Sequence, residues 1–80
     1  MTFAENLKML RKQAGMSQEQ LAEKLGVSRQ AVTKWETGAG IPDIENIMAI
    51  SMLFDISIDD LLSNERDSKK VVETEYLYES

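Results

Sequence analysis

The sequence predicts an all-α fold of five short helices, and three observations carry that expectation. Apolar residues recur at spacings of three and four from the N-terminus to Leu62, the period of a helix with one buried face. A Thr, Ser or Asp stands just before each such run, at Thr2, Ser17, Ser28, Asp43 and Ser57, where a side-chain oxygen can cap the first turn. Gly15, Gly26 and Gly38 close the first three runs, as glycine does just past a helix C-terminus.

Helix one runs from Thr2 or Phe3 to Ala14, with Phe3, Leu7, Leu10 and Ala14 on one side and Thr2-x-x-Glu5 as a capping box. Helix two follows Ser17, whose capping box is completed by Gln20, and its inner face holds Leu21, Ala22 and Leu25. It stops at Gly26 after about two turns. Ser28 caps helix three, Arg29 to about Thr37. The turn T-G-A-G-I-P carries two glycines and the single proline. Asp43 caps helix four, roughly Ile44 to Phe54, and Ser57 caps a short fifth helix, I-D-D-L-L, with Asp60 three residues on. The domain therefore spans residues 1–63. From 64 to 80 the composition turns polar and linker-like, then β-prone in V-V-E-T-E-Y-L-Y-E, so this tail reads as a dimerisation strand or as disorder.

Eighty residues make one domain near the lower limit of unaided folding. The chain has no cysteine and no histidine, which removes disulfides, thiolate nucleophiles, imidazole bases and N/S zinc sites. A reducing, cytoplasmic setting is expected. M-T-F-A-E-N-L-K does not have the form of a signal peptide, and the stretch from Ile44 to Phe54 is too short to span a bilayer. No membrane partner, metal or cofactor is expected. Asp59 and Asp60, adjacent on a helix, diverge by about 100°, so capping and solvation account for them. With no nucleophile–base pair or phosphate loop, the chain reads as a non-enzyme.

The net charge of −5 argues against a nucleic-acid partner until its distribution is considered. Met1 to Trp35 carries six bases against three acids, Glu36 to Leu62 carries six acids and no base, and the remainder contributes −2. A basic front on an acidic back can still face a polyanion.

Residues 18–37 form a compact unit of two short helices and a tight turn. Leu21, Leu25, Val27, Val32 and Trp35 supply its buried side, Ala22 is small where the helices cross, and Gly26 occupies the turn. That combination is the helix-turn-helix unit. Trp35, at core spacing, reads as an anchor and not as a stacking platform for bases.

S-Q-E-Q-L-A-E-K-L-G-V-S-R-Q-A-V-T-K-W-E-T-G resembles the lambda-repressor-like, Cro/XRE-type helix-turn-helix family, and the likeness continues through I-P-D-I-E-N-I and F-D-I-S-I-D-D-L-L to cover about residues 3–62. The resemblance implies a five-helix fold and sequence-specific binding to a double-stranded DNA operator. It also implies that Arg11 pairs with Glu36 to hold helix three against helix one, and that Gln18 clamps the DNA backbone.

A helix in the major groove reads bases from its N-terminal end. Arg29 suits guanine O6/N7 and Gln30 suits adenine N6/N7, while Lys34 suits guanine or phosphate. Thr33 offers either its methyl to thymine or its hydroxyl to phosphate. Ser28, Lys8 and Lys12 join Gln18 as candidate phosphate contacts, with a solvated face the equal competing reading for the two lysines. The uncharged turn after helix three departs from the basic loop common in the family, which implies fewer phosphate contacts.

Helix four carries two faces: Ile47, Ile50, Ser51 and Phe54 cover the domain, whereas Ile44, Met48 and Met52 form a surplus apolar stripe. Methionines on a surplus stripe suggest a partner surface, and pairing by a two-fold axis suits a palindromic operator. The expected function is a transcriptional regulator, a repressor acting as a homodimer. A restriction-modification controller or antitoxin, and an interaction module that has lost DNA binding, are the competing readings.

Overall fold

The computed structural model describes residues 2–62, and within them the chain forms α1 (Phe3–Gln13), α2 (Gln18–Leu25), α3 (Arg29–Thr37), α4 (Ile44–Phe54) and α5 (Ile58–Leu62). No strand occurs among these residues. The expected strand in V-V-E-T-E-Y-L-Y lies outside the described residues.

The caps work as the sequence predicts. Thr2 Oγ1 accepts from the Glu5 N–H at 3.2 Å while Glu5 accepts from the Thr2 N–H at 3.0 Å. Ser17 and Gln20 make the same reciprocal box at 3.0 and 2.8 Å. Ser28, Asp43 and Ser57 accept from the N–H groups of Ala31, Asn46 and Asp60. Each cap satisfies a donor that the first turn would leave without an intrahelical partner.

Gly26 ends α2 at φ 72°, where an L side chain is strained. Helix α4 ends differently: Asp55 adopts φ 55° without being glycine. Aspartate tolerates this region better than most residues, and the Asp55 and Ile56 N–H groups bond back to Met52 and Ser51 carbonyls. The sequence offers no glycine there, so this terminator is visible only in the structure.

The core is built from Leu7, Leu21, Ala22, Val32, Trp35, Ile47, Ile50 and Leu61. Fully burying a Leu or Ile side chain contributes about 1.5–3 kcal/mol, and each helix supplies one or two of these eight core residues. Helices α2 and α3 pair most extensively, α1 lies across α3, and α5 closes the end between α1 and α4. Two expectations change. Ala14 is the exposed C-cap of α1, because Leu7, Leu10 and Arg11 already take the inner face. Leu25 and Val27 are half-buried and pack at the edge of the core.

Asn6 is buried, and its Nδ2 donates to the Leu61 carbonyl at 3.0 Å. That bond ties α1 to α5 across the molecule. Every buried side-chain nitrogen or oxygen among the described residues has a partner.

Candidate nucleic-acid interface

Helix α3 is anchored on one side and open on the other. Val32 and Trp35 enter the core and Glu36 is buried behind them. Arg29, Gln30 and Lys34 are exposed and Thr33 is half-buried. With three buried residues fixing its rotation, so short a helix has little freedom to turn its polar row elsewhere. Arg29, Gln30, Thr33 and Lys34 together line one shallow concavity. The four residues expected to read bases are therefore brought together.

A second concavity is lined by Arg11, Ser17, Gln18, Glu19 and Arg29. Arg29 borders both, so the N-terminus of α2 lies beside that of α3. The backbone N–H groups of Gln18 and Glu19 stand before the first intrahelical bond of α2, Leu21 N–H to Ser17 carbonyl. Such N–H groups, with the helix dipole behind them, favour an anion. Lys8 and Lys12 are exposed on α1, one turn apart, and line neither concavity.

Behind the row lies a hydrogen-bonded chain that begins in the interior. Arg11 grips Glu36 in a bidentate pair, Nε to Oε2 at 2.6 Å and Nη2 to Oε1 at 3.1 Å. Its Nη1 also donates to the Met16 carbonyl at 2.7 Å, so one guanidinium joins α1, the α1–α2 turn and α3. The pair implied by the resemblance is present.

Two further links are not visible in the sequence. Gln18 Nε2 donates to Glu36 Oε1 at 3.0 Å, and Thr33 Oγ1 donates to Gln18 Oε1 at 2.8 Å. Gln18, expected to clamp phosphate, turns its side chain inward instead. One amide N–H and its backbone N–H stand outside these bonds. Spacing along one helix predicts neighbours only three or four residues apart. Gln18 and Thr33 are 15 residues apart on different helices, and only the crossing of α2 over α3 makes them meet.

Ser28 uses its hydroxyl oxygen to cap α3. Ile44, Met48 and Met52 are 60%, 49% and 79% exposed. They form the outer stripe of α4, opposite buried Ile47 and Ile50, and Ile41 just before them is exposed as well. No helix among the described residues is long and apolar enough to cross a membrane.

This geometry can be set beside known proteins. A helix-turn-helix family model matches residues 7–61. The transcriptional activator BcrR of Enterococcus faecalis is 51% identical over 65 residues, which cover 81% of this chain and 32% of that protein. The cryptic phage CTXphi transcriptional repressor RstR of Vibrio cholerae is 38% identical over 61 residues, or 76% of this chain and 54% of that one. The chain thus spans about a third to a half of the length of these relatives. Among solved structures, the P22 c2 repressor in complex with a synthetic operator superposes with a TM-score of 0.75 at 32% identity, covering 79% of this chain and 96% of that one. A match over most of the five-helix unit, with the same helical architecture, gives the affiliation: the chain belongs to the Cro/XRE-type helix-turn-helix family of transcriptional regulators.

Proposed function

We propose that this protein regulates transcription, as a repressor, by binding a palindromic double-stranded operator as a homodimer, with α3 in the major groove. The observation that carries the reading is the polar row of exposed Arg29, Gln30 and Lys34 with half-buried Thr33, on a helix locked from behind by Val32, Trp35 and the Arg11–Glu36 pair. The major groove admits one α-helix and shows a distinct donor and acceptor pattern for every base pair. A helix fixed from behind and presenting Arg29, Gln30 and Lys34, with Thr33 beside them, matches that requirement. The likeness to a repressor solved on its operator supports the same reading.

In this reading Arg29 contacts guanine and Gln30 adenine, with Lys34 reading guanine or neutralising phosphate. The N-terminus of α2 at Gln18, with Ser28, Lys8 and Lys12, holds the sugar–phosphate backbone. Ile44, Met48 and Met52 form the two-fold contact, because one such domain reads only a few base pairs and paired copies space half-sites by about 34 Å. Selection of bound sequences from random duplex DNA tests binding, symmetry and spacing together. A two-fold symmetric consensus is expected; recovery of no enriched sequence overturns the proposal.

The exposed stripe on α4 also favours a second reading, an interaction module that has lost DNA binding; a restriction-modification controller or antitoxin-like regulator stays within the DNA-binding reading. Arg29→Ala with Gln30→Ala separates the two. DNA binding collapses under the first reading while folding and self-association persist. Under an interaction-only reading the substitutions change nothing.

A further inference from the structure

The hydrogen-bonded chain behind α3 has a direction, and the direction decides which atoms of Thr33 remain for DNA. Arg11 is always charged and can only donate. Its bidentate partner Glu36 is held as a carboxylate, which can only accept. The group of Gln18 that faces Glu36 Oε1 at 3.0 Å must therefore be its NH2, which turns the amide oxygen toward α3. Only a donor can satisfy that oxygen, and Thr33 Oγ1 lies 2.8 Å away. The buried ion pair thus sets the polarity of every link up to the reading helix: Arg11 donates to Glu36, Gln18 donates to Glu36, and Thr33 donates to Gln18.

A threonine hydroxyl has one hydrogen. Once it is given to Gln18, Thr33 has no donor for a phosphate or for a base acceptor. The hydroxyl is also fixed in direction, which selects one staggered rotamer of a side chain that is stiff at χ1. Thr33 is nonetheless part of the concavity formed with Arg29, Gln30 and Lys34, and what it has left for a phosphate-free, acceptor-rich partner such as thymine is the methyl, since the hydroxyl oxygen can now only accept. In the major groove the partner for a methyl is the C5-methyl of thymine.

We propose that Gln18 is a positioning residue that holds Thr33 by its hydroxyl, so that Thr33 reads a thymine methyl by apolar contact and donates no hydrogen bond to DNA. The inference rests on the DNA-binding reading above and goes beyond it, because it chooses between the two roles that the residue type allows.

The test uses the duplex recovered by selection and replaces thymines one at a time by uracil, which removes only the C5-methyl. Wild-type protein should bind about three- to fivefold more weakly at one symmetry-related pair of thymines, the order expected for one buried methyl contact. Thr33→Val, which keeps the methyl, should retain that sensitivity. Thr33→Ser, which keeps the hydroxyl and loses the methyl, should bind the thymine and uracil duplexes equally. Gln18→Ala should reduce the thymine-to-uracil ratio when Thr33 is present and leave it unchanged in the Thr33→Val background, a dependence that loss of a phosphate contact alone does not produce. Melting temperatures control for folding, and the uracil series on wild-type protein needs no variant at all.

If wild-type protein binds its selected duplex but senses no uracil, or if Thr33→Val loses binding while Thr33→Ser keeps the uracil sensitivity, the methyl role is overturned and the DNA-binding reading stands. If no duplex is selected, both fall.

Discussion

Arg11 shows how a single side chain can serve the fold and the interface together. It is 8% exposed, and with Glu36 it forms a buried ion pair that reaches α3 from α1. Removing one member leaves the other charged and buried, which costs about 3 kcal/mol or more. Arg11→Ala should therefore lower stability by about that amount in urea unfolding, a large share of the 5–15 kcal/mol typical of a domain. Replacing both members by methionine should cost less than either single alanine, because no orphaned charge remains. A double variant less stable than both singles would contradict this account. Arg29 and Gln30 should behave in the opposite way. Both are exposed, so each alanine variant should shift stability by less than about 0.5 kcal/mol. Each should weaken operator binding by about 1–3 kcal/mol in a titration and relax preference at one base pair.

At the scale of elements, helix boundaries were the most legible feature of the sequence. All five capping residues act in the structure, and both predicted capping boxes close. Caps are local, set by contacts between residues three apart, so they can be recognised without knowing the tertiary arrangement. Gly26 allows the point to be tested. A Cβ there would meet nothing within 4 Å, yet φ is +72°. Gly26→Ala should destabilise by about 1 kcal/mol through backbone strain alone, and Gly26→Asn, better suited to the left-handed region, should recover part of it. A fully neutral alanine variant in thermal melts would show that the turn between α2 and α3 relaxes, and with it the fixed crossing on which the Gln18–Thr33 bond depends. Ala14 marks the limit of periodicity. It falls on the helical repeat but caps α1 in solvent, since spacing says which residues align and not where the neighbouring helix stops covering them.

For the whole molecule, the questions are charge and assembly. Eleven of the fourteen acidic residues lie from Glu36 onward and the polar row of α3 precedes them, so the net charge of −5 does not describe the surface proposed to face DNA. The turn after α3, T-G-A-G-I-P, adds no cation. The slope of log affinity against log salt should therefore imply fewer than ten phosphate contacts, that is, be shallower than about −9. A steeper slope would mean that Lys8, Lys12 and the N-terminus of α2 contribute more than proposed. Assembly is tested by Met48→Asp with Met52→Asp on the exposed stripe of α4. Sedimentation at tens of micromolar should change from dimer to monomer, with operator affinity falling and the melting temperature of the monomer fold little altered. A wild-type protein that sediments only as monomer would remove the two-fold contact from the proposal.

The sequence by itself determined the fold class, the five helices, their caps and the row of residues that α3 exposes. All of these follow from periodicity and from contacts between near neighbours, which one chain of letters records. The resemblance supplied the Arg11–Glu36 pair. Only the tertiary structure decided what Gln18 and Thr33 do. Their meeting depends on the angle and register at which α2 crosses α3, and the polarity of their bond depends on an ion pair reaching in from α1. Such a chain of donors and acceptors has no signature in spacing, because each link joins a different pair of elements and gains its direction from the one before it.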